Sequence, residues 1–203
     1  MDLEIVFQAA EAFHQAVIKT AMGRRELLNL LHRPGTFGVV SAYIETSKAE
    51  NRDRHGRLLR FLQEAGYPHE YTKGKWESSS GQMMAEKSIV IRDVDFPFIL
   101  ALAEHFAQKA FIYKSSDGII GMYYPERRVA EVAVDVNADP AFRLSLEKDL
   151  WSKPRGVSFE FDFLWGQMIP WDGRTPLSKR EVAPLIQAGY LKPPGNVPIA
   201  AEE

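Results

Sequence analysis

Apolar residues Leu3, Phe7, Ala10, Phe13 and Val17 recur at three- and four-residue steps, which predicts helix over 2–31, divided at Gly23. His32-Arg33-Pro34-Gly35 ends it, because proline cannot continue a helix and glycine tolerates the turn that follows. The period then changes to two. From Phe37 to Glu45, Val40, Ala42 and Ile44 share one face while Ser41, Tyr43 and Glu45 share the other, as in a strand. Helical spacing returns over Asn51–Ala65, with Leu58, Leu62 and Ala65 on the stripe and Gly66 placed to end it.

His69–Glu77 reads as a strand or hairpin arm, Ser78-Ser79-Ser80-Gly81 as a loop, and Ser88–Arg92 as a short strand. Asp95 is placed to cap a helix that runs to Lys109, with Pro97 in its first turn and Phe98, Ile99, Leu102 and Phe106 on its apolar face. Phe111–Lys114 and Ile119–Tyr124 make a hairpin about Asp117-Gly118, and Val132, Val134 and Val136 alternate as a further strand. Pro140–Leu150 reads as a short helix, and Phe159, Phe161 and Phe163 as a strand alternating with Glu160 and Asp162. Ser178–Ala188 is the last helix. From Lys192 onward, paired prolines and terminal glutamates predict a disordered tail.

The middle of the chain thus reads β-α-β-β-α-β. The predicted fold class is α+β: an antiparallel sheet with a split-βαβ (ferredoxin-like) core and both helices on one face. An N-terminal helical layer precedes it and an aromatic-rich C-terminal extension follows. At 203 residues the chain is the size of one domain, read as N-terminal helices 1–34, core 35–139, extension 140–191 and tail 192–203.

Composition narrows the function classes. There is no cysteine, which excludes a disulfide framework, thiolate metal ligation and a thiol nucleophile. The net charge of −2 supplies no field to draw nucleic acid or an anionic membrane. Acidic residues stand where a signal peptide needs basic ones, and no run approaches a bilayer span, so a cytoplasmic location is expected. The histidines at 14, 32, 55, 69 and 105 lack ligand spacing, and no nucleotide-binding glycine loop or hydrolase motif occurs. Neither a metal nor a cofactor is expected.

The densest polar cluster lies where the first strand meets its helix, at Glu45, Ser47, Asn51, Arg54 and His55. At about 100° per residue, Asn51 and His55 extend the Leu58–Leu62 stripe toward the helix start, beside backbone N–H groups that favour an anion. One reading makes Asn51, Arg54 and His55 a binding site for a phosphate or carboxylate, with Arg54 as the fork and Glu45 and His55 as candidate catalytic groups. The other makes Ser47 or Asn51 a cap and His55 a hydrogen-bonded core residue. Three further groups carry paired readings. Glu77 with Glu86, and Glu160 with Asp162, are acid–base candidates or the wet side of strands. Trp151, Trp165 and Trp171 either close the core or wall a cleft.

Four segments occur in a telling order: Ser41-Ala42-Tyr43 before a polar loop, Asn51-Arg52 opening a helix, Gly74-Lys75-Trp76-Glu77, and Phe106-Ala107-Gln108-Lys109-Ala110. Over about residues 37–113 the chain resembles a bacterial family of unassigned function with a similar strand, Asn-led helix, Gly-aromatic-Glu segment and Phe-Gly-Gln-Asn-Ala run. Ala107 and Lys109 stand here at the Gly and Asn positions. The resemblance implies a bacterial or phage-borne origin and supplies no activity.

Two functional expectations follow. The first is a non-enzymatic binding or regulatory protein that engages a protein partner, favoured because familiar catalytic motifs are missing. The alternative is a small enzyme or sensor that holds an anionic metabolite in a polar pocket at Glu45, Asn51, Arg54 and His55. Nucleic acid is not an expected partner.

Overall fold

The period-two segments assemble into one antiparallel sheet. A computed structural model describes residues 17–20, 30, 34–77, 83–133, 142–143, 157–161 and 168–188. Its strands are β1 (Val17–Thr20), β2 (Phe37–Ser41), β3 (His69–Glu77), β4 (Met83–Arg92), β5 (Phe111–Lys114), β6 (Ile120–Tyr124), β7 (Val129–Ala133), β8 (Phe142–Arg143), β9 (Val157–Phe161) and β10 (Ile169–Pro170). They lie in the order β10-β7-β6-β5-β2-β4-β3-β1-β9-β8. The helices described are α1 (Lys48–Glu64), α2 (Phe96–His105) and α3 (Lys179–Gln187). The class is α+β. The order of the ten strands differs from that of a four-stranded ferredoxin-like sheet, which the β2-to-β5 stretch alone was expected to form.

Register gives the sheet two distinct faces. Gly38 and Val40 of β2 stand level with Ile91 and Ile89 of β4, and Gly38 also with Tyr113 of β5. These residues meet the helices: Leu58, Leu62, Ile99, Leu102 and Phe106 are buried in one cluster with Val40, Ile89 and Ile91. α1 and α2 therefore cover the same face, as their stripes require. A Cβ at Gly38 would stand 2.7 Å from Ile99 Cγ1 and Cδ1, so glycine lets α2 approach the sheet. Val39, Val90 and Ile112, one residue out of step, point the other way and are buried too.

Both long helices end in the same device. Gly66 N–H bonds to Gln63 O and Tyr67 N–H to Leu62 O; Ala107 N–H bonds to Glu104 O and Gln108 N–H to Ala103 O. This is the Schellman arrangement, which needs a left-handed residue just past the helix. Gly66 has φ +74°, and Ala107 has φ +49° despite its Cβ.

Several expected elements change. Val17–Thr20 is a strand between β3 and β9, not part of a helix. Val17, Ile18 and Thr20 are β-branched, and pairing on both sides overrides the three- and four-residue spacing. Phe142–Arg143 pairs with β9 where helix was expected. The second core helix stops at His105, because Ala107 turns left-handed. Most of 1–34 and 140–167, and all of 192–203, lie outside the described residues, as do Trp151, Trp165 and Asp162. Trp171 closes the core: it is buried, edge-on to Phe96 and Tyr123, with Nε1 donating to Thr175 O at 2.5 Å.

Candidate functional site

β2 ends at Ser41 rather than at Glu45, and the reason is Asn51. Its Oδ1 accepts from Ile44 N–H at 2.9 Å and its Nδ2 donates to Ile44 O at 2.9 Å. One side-chain amide thus makes both bonds that a neighbouring strand would have made. Arg54 Nε donates to Ala42 O at 2.7 Å, and its Nη2 donates to Phe106 O. The same guanidinium lies over the Phe106 ring, 6.0 Å from its centroid. Gln108 Nε2 donates to Phe106 O at 2.9 Å and to Tyr43 O at 3.1 Å. Together these three side chains tie residues 42–44 to the start of α1 and the end of α2.

The structure therefore brings Asn51, Arg54 and His55 together but commits two of them to the protein's own backbone. The fork expected to hold an anion is occupied by carbonyl oxygens of Ala42 and Phe106. Ser47, not Asn51, caps α1, accepting from Glu50 N–H at 3.1 Å. Glu45 forms an ion pair with Lys109 at 3.8 Å, and neither ring nitrogen of His55 has a hydrogen-bond partner among the described residues, a carboxylate of Glu45 included.

His55 fits neither expectation. It is only 6% exposed, yet among the described residues neither ring nitrogen has a hydrogen-bond partner, so it is not the satisfied core histidine of the alternative reading. The Tyr43 ring meets it edge-on at 6.0 Å and the Tyr71 ring tilts against it at 5.9 Å. Tyr71 is 53% exposed. Burial, with the nearby Lys87 ammonium adding to it, holds the imidazole below its ordinary pKa and keeps it neutral. Burial also raises the Tyr43 hydroxyl, against the opposing pull of Arg52.

The other face of the sheet carries a second polar group. Ser41, Ser88 and Thr72 stand level across β2, β4 and β3, and all are buried. Ser88 Oγ donates to Glu86 Oε1 at 2.9 Å. Burial pushes the Glu86 carboxyl up to about 7, against the hydrogen bonds from Ser88 and Ser41. Thr72 Oγ1 has no hydrogen-bond partner among the described residues. Alternation on β4 puts Glu86 and Ser88 on the face away from Ile89, so Glu86 and His55 belong to opposite sides of the sheet.

Sequence reasoning missed Gln108, Tyr71 and Lys87 as site residues. Gln108 lies in the run that carried the resemblance, which was a usable signal. Tyr71 and Lys87 gave none, because their meeting with His55 depends on the β3–β4 pairing. Among the described residues, no three His, Asp or Glu side chains gather as a metal site, and no helix is long and apolar enough to cross a membrane.

No curated protein and no solved structure matches the chain. A family model described as a protein of unknown function (DUF3293) matches residues 44–111, about a third of the chain. The matched span runs from Ile44 to Phe111 and so contains Asn51, Arg54, His55 and Gln108. The likeness is to a family of unknown function, and nothing in it indicates a bacterial or phage origin.

Proposed function

We propose that the chain is a non-enzymatic binding or regulatory protein that engages a protein partner through the outer surface of α1 and α2. The observation that carries this reading is Phe61, 46% exposed on α1, with its ring 6.0 Å from Phe98 of α2. Phe98 in turn packs, tilted by 34°, against the Tyr67 ring at 4.4 Å. A supported aromatic surface open to water is the kind of group that anchors protein interfaces. Arg57, which pairs with Asp53 at 3.2 Å, and Arg60 flank it. These neighbours suit a segment that presents an apolar anchor beside acidic residues.

The enzyme alternative has less support, because Asn51 and Arg54 hold backbone and Glu45 holds Lys109. The same proposal takes the chain as one domain in the cytoplasm, a setting that suits a protein without cysteine. It reads β2-α1-β3-β4-α2-β5 as a split-βαβ unit within the wider sheet, supported by the order β5-β2-β4-β3 of those strands.

A displayed library of random peptides, selected on the full chain and counter-selected on Phe61→Glu, tests the proposal. Enrichment of peptides with an apolar anchor next to acids, bound by wild type and not by the variant, is expected. Peptides that bind both forms equally, or no enrichment, would overturn it.

A further inference from the structure

His55 is the feature that neither the fold nor the partner surface explains. An imidazole nitrogen shut away from water without a partner costs free energy, because its hydration is lost and no hydrogen bond replaces it. A histidine so placed needs a reason beyond packing, since an apolar side chain of similar shape would avoid the cost. Its surroundings supply one. Tyr71 stands level with Ile89 on the helix-facing side of the sheet, and Lys87 is two residues along β4 on that same side. Tyr71, Lys87 and Arg52 are all exposed, so the buried ring lies directly behind a basic, aromatic surface.

We propose that His55, Tyr43 and Tyr71, with Lys87 and Arg52 at the rim, form a binding site for a planar heteroaromatic ligand with an anionic group, the chemistry of a mononucleotide. Each part of such a ligand has a counterpart. A neutral imidazole offers one N–H donor and one lone pair, which matches the mixed donor and acceptor edge of a heterocycle. The tyrosine rings provide faces for stacking, and the two cations receive the charge. Tyr71 is the movable element: more than half its surface is already in water, so rotating it outward uncovers His55 at little cost in burial. It then closes on the outer face of the ligand. This site is independent of the Phe61 surface, which lies six residues along α1 and on another side of the helix.

The test titrates the full chain with the four 5′-mononucleotides, with adenosine and inorganic phosphate as separate probes. Binding is read by calorimetry and by the NMR signals of the His55 ring. At least one mononucleotide is expected to saturate and move the His55 signals, with nucleoside and phosphate each bound at least tenfold more weakly. Tyr71→Ala is expected to weaken binding by roughly tenfold or more, the loss of one stacking partner. Lys87→Gln is expected to weaken it several-fold. His55→Phe is expected to abolish binding while holding or raising Tm, because no ring nitrogen is then left unpartnered. Unmoved His55 signals with all four mononucleotides would overturn the proposal, as would full affinity in Tyr71→Ala. Phosphate alone binding as well as the mononucleotide would overturn the heteroaromatic assignment. A short single-stranded oligonucleotide binding more tightly than any mononucleotide would assign the surface to nucleic acid instead. Failure of this test leaves the Phe61 selection intact, since Tyr71→Ala does not touch that surface.

Discussion

Arg54→Ala separates a structural arginine from an anion-binding one. In the structure Arg54 gives one hydrogen bond to Ala42 O and one to Phe106 O. Bonds from a charged donor contribute about 1.5–3 kcal/mol each. Phe106 O keeps a second donor, Gln108 Nε2, whereas among the described residues Arg54 is the side chain that donates to Ala42 O, so the two losses are unequal. A total of about 2–4 kcal/mol follows, equivalent to roughly 5–15 °C in Tm for a chain of this size. Urea denaturation followed by circular dichroism measures it, and Arg54→Lys, which keeps the charge but not the fork, should recover only part. An exposed arginine waiting for a ligand would give a change of less than about 0.5 kcal/mol. That result, with loss of protection by phosphate, would refute the backbone role and restore the anion site.

Ala107→Gly should stabilise the protein by about 1 kcal/mol, since it relieves the left-handed strain at the end of α2, while Gly66→Ala should cost about as much. A Cβ at Gly66 meets nothing within 4 Å, so that cost is conformational alone, and equal denaturant midpoints in both variants would contradict it. Leu62→Ala and Phe106→Ala should each cost roughly 2–5 kcal/mol in urea unfolding, as both side chains are buried in the shared core; an unshifted midpoint would mean the stripes are misassigned. Glu86 should make stability fall as pH rises from about 4.5 to about 7, because over that window the native carboxyl keeps a proton that the unfolded one has lost. The full span is about 3 kcal/mol, and Glu86→Gln should flatten that slope. His55 acts with the opposite sign. Its pKa lies below the unfolded 6.5, so stability should drop as pH falls below about 6.5, and His55→Phe should remove that component of the acid limb in thermal melts.

What was legible in the sequence is what local periodicity controls. The Leu58–Leu62 and Ile99–Phe106 stripes, the shared inward face of Val40 and Ala42, and the chain reversal at Gly66 all follow from spacing within a dozen residues, and all appear. What failed depended on distant partners. Val17 continues a helical spacing, but Val17–Thr20 finds β3 on one side and β9 on the other, more than fifty and more than a hundred residues away. Pairing of that kind has no local signature, and strand preference depends on context more than helix preference does.

The polar cluster shows the same division more sharply. The helical spacing places Asn51 and His55 on the inward side of α1 with Arg54 bordering them, and Asn51 and His55 are buried there, yet residue type alone could not say what the three meet. A guanidinium fork and a side-chain amide suit an oxyanion, and they suit a peptide carbonyl for the same reason: both are concentrated oxygen lone pairs in need of donors. Where a strand ends early inside a fold, its released carbonyls are the nearest such groups. Ala42 O and Ile44 O therefore capture Arg54 and Asn51 before any ligand arrives. With those carbonyls satisfied by Asn51 and Arg54, the buried polar side chain left without a backbone partner is the informative one. Here it is His55, whose two nitrogens no carbonyl, carboxylate or hydroxyl among the described residues has claimed.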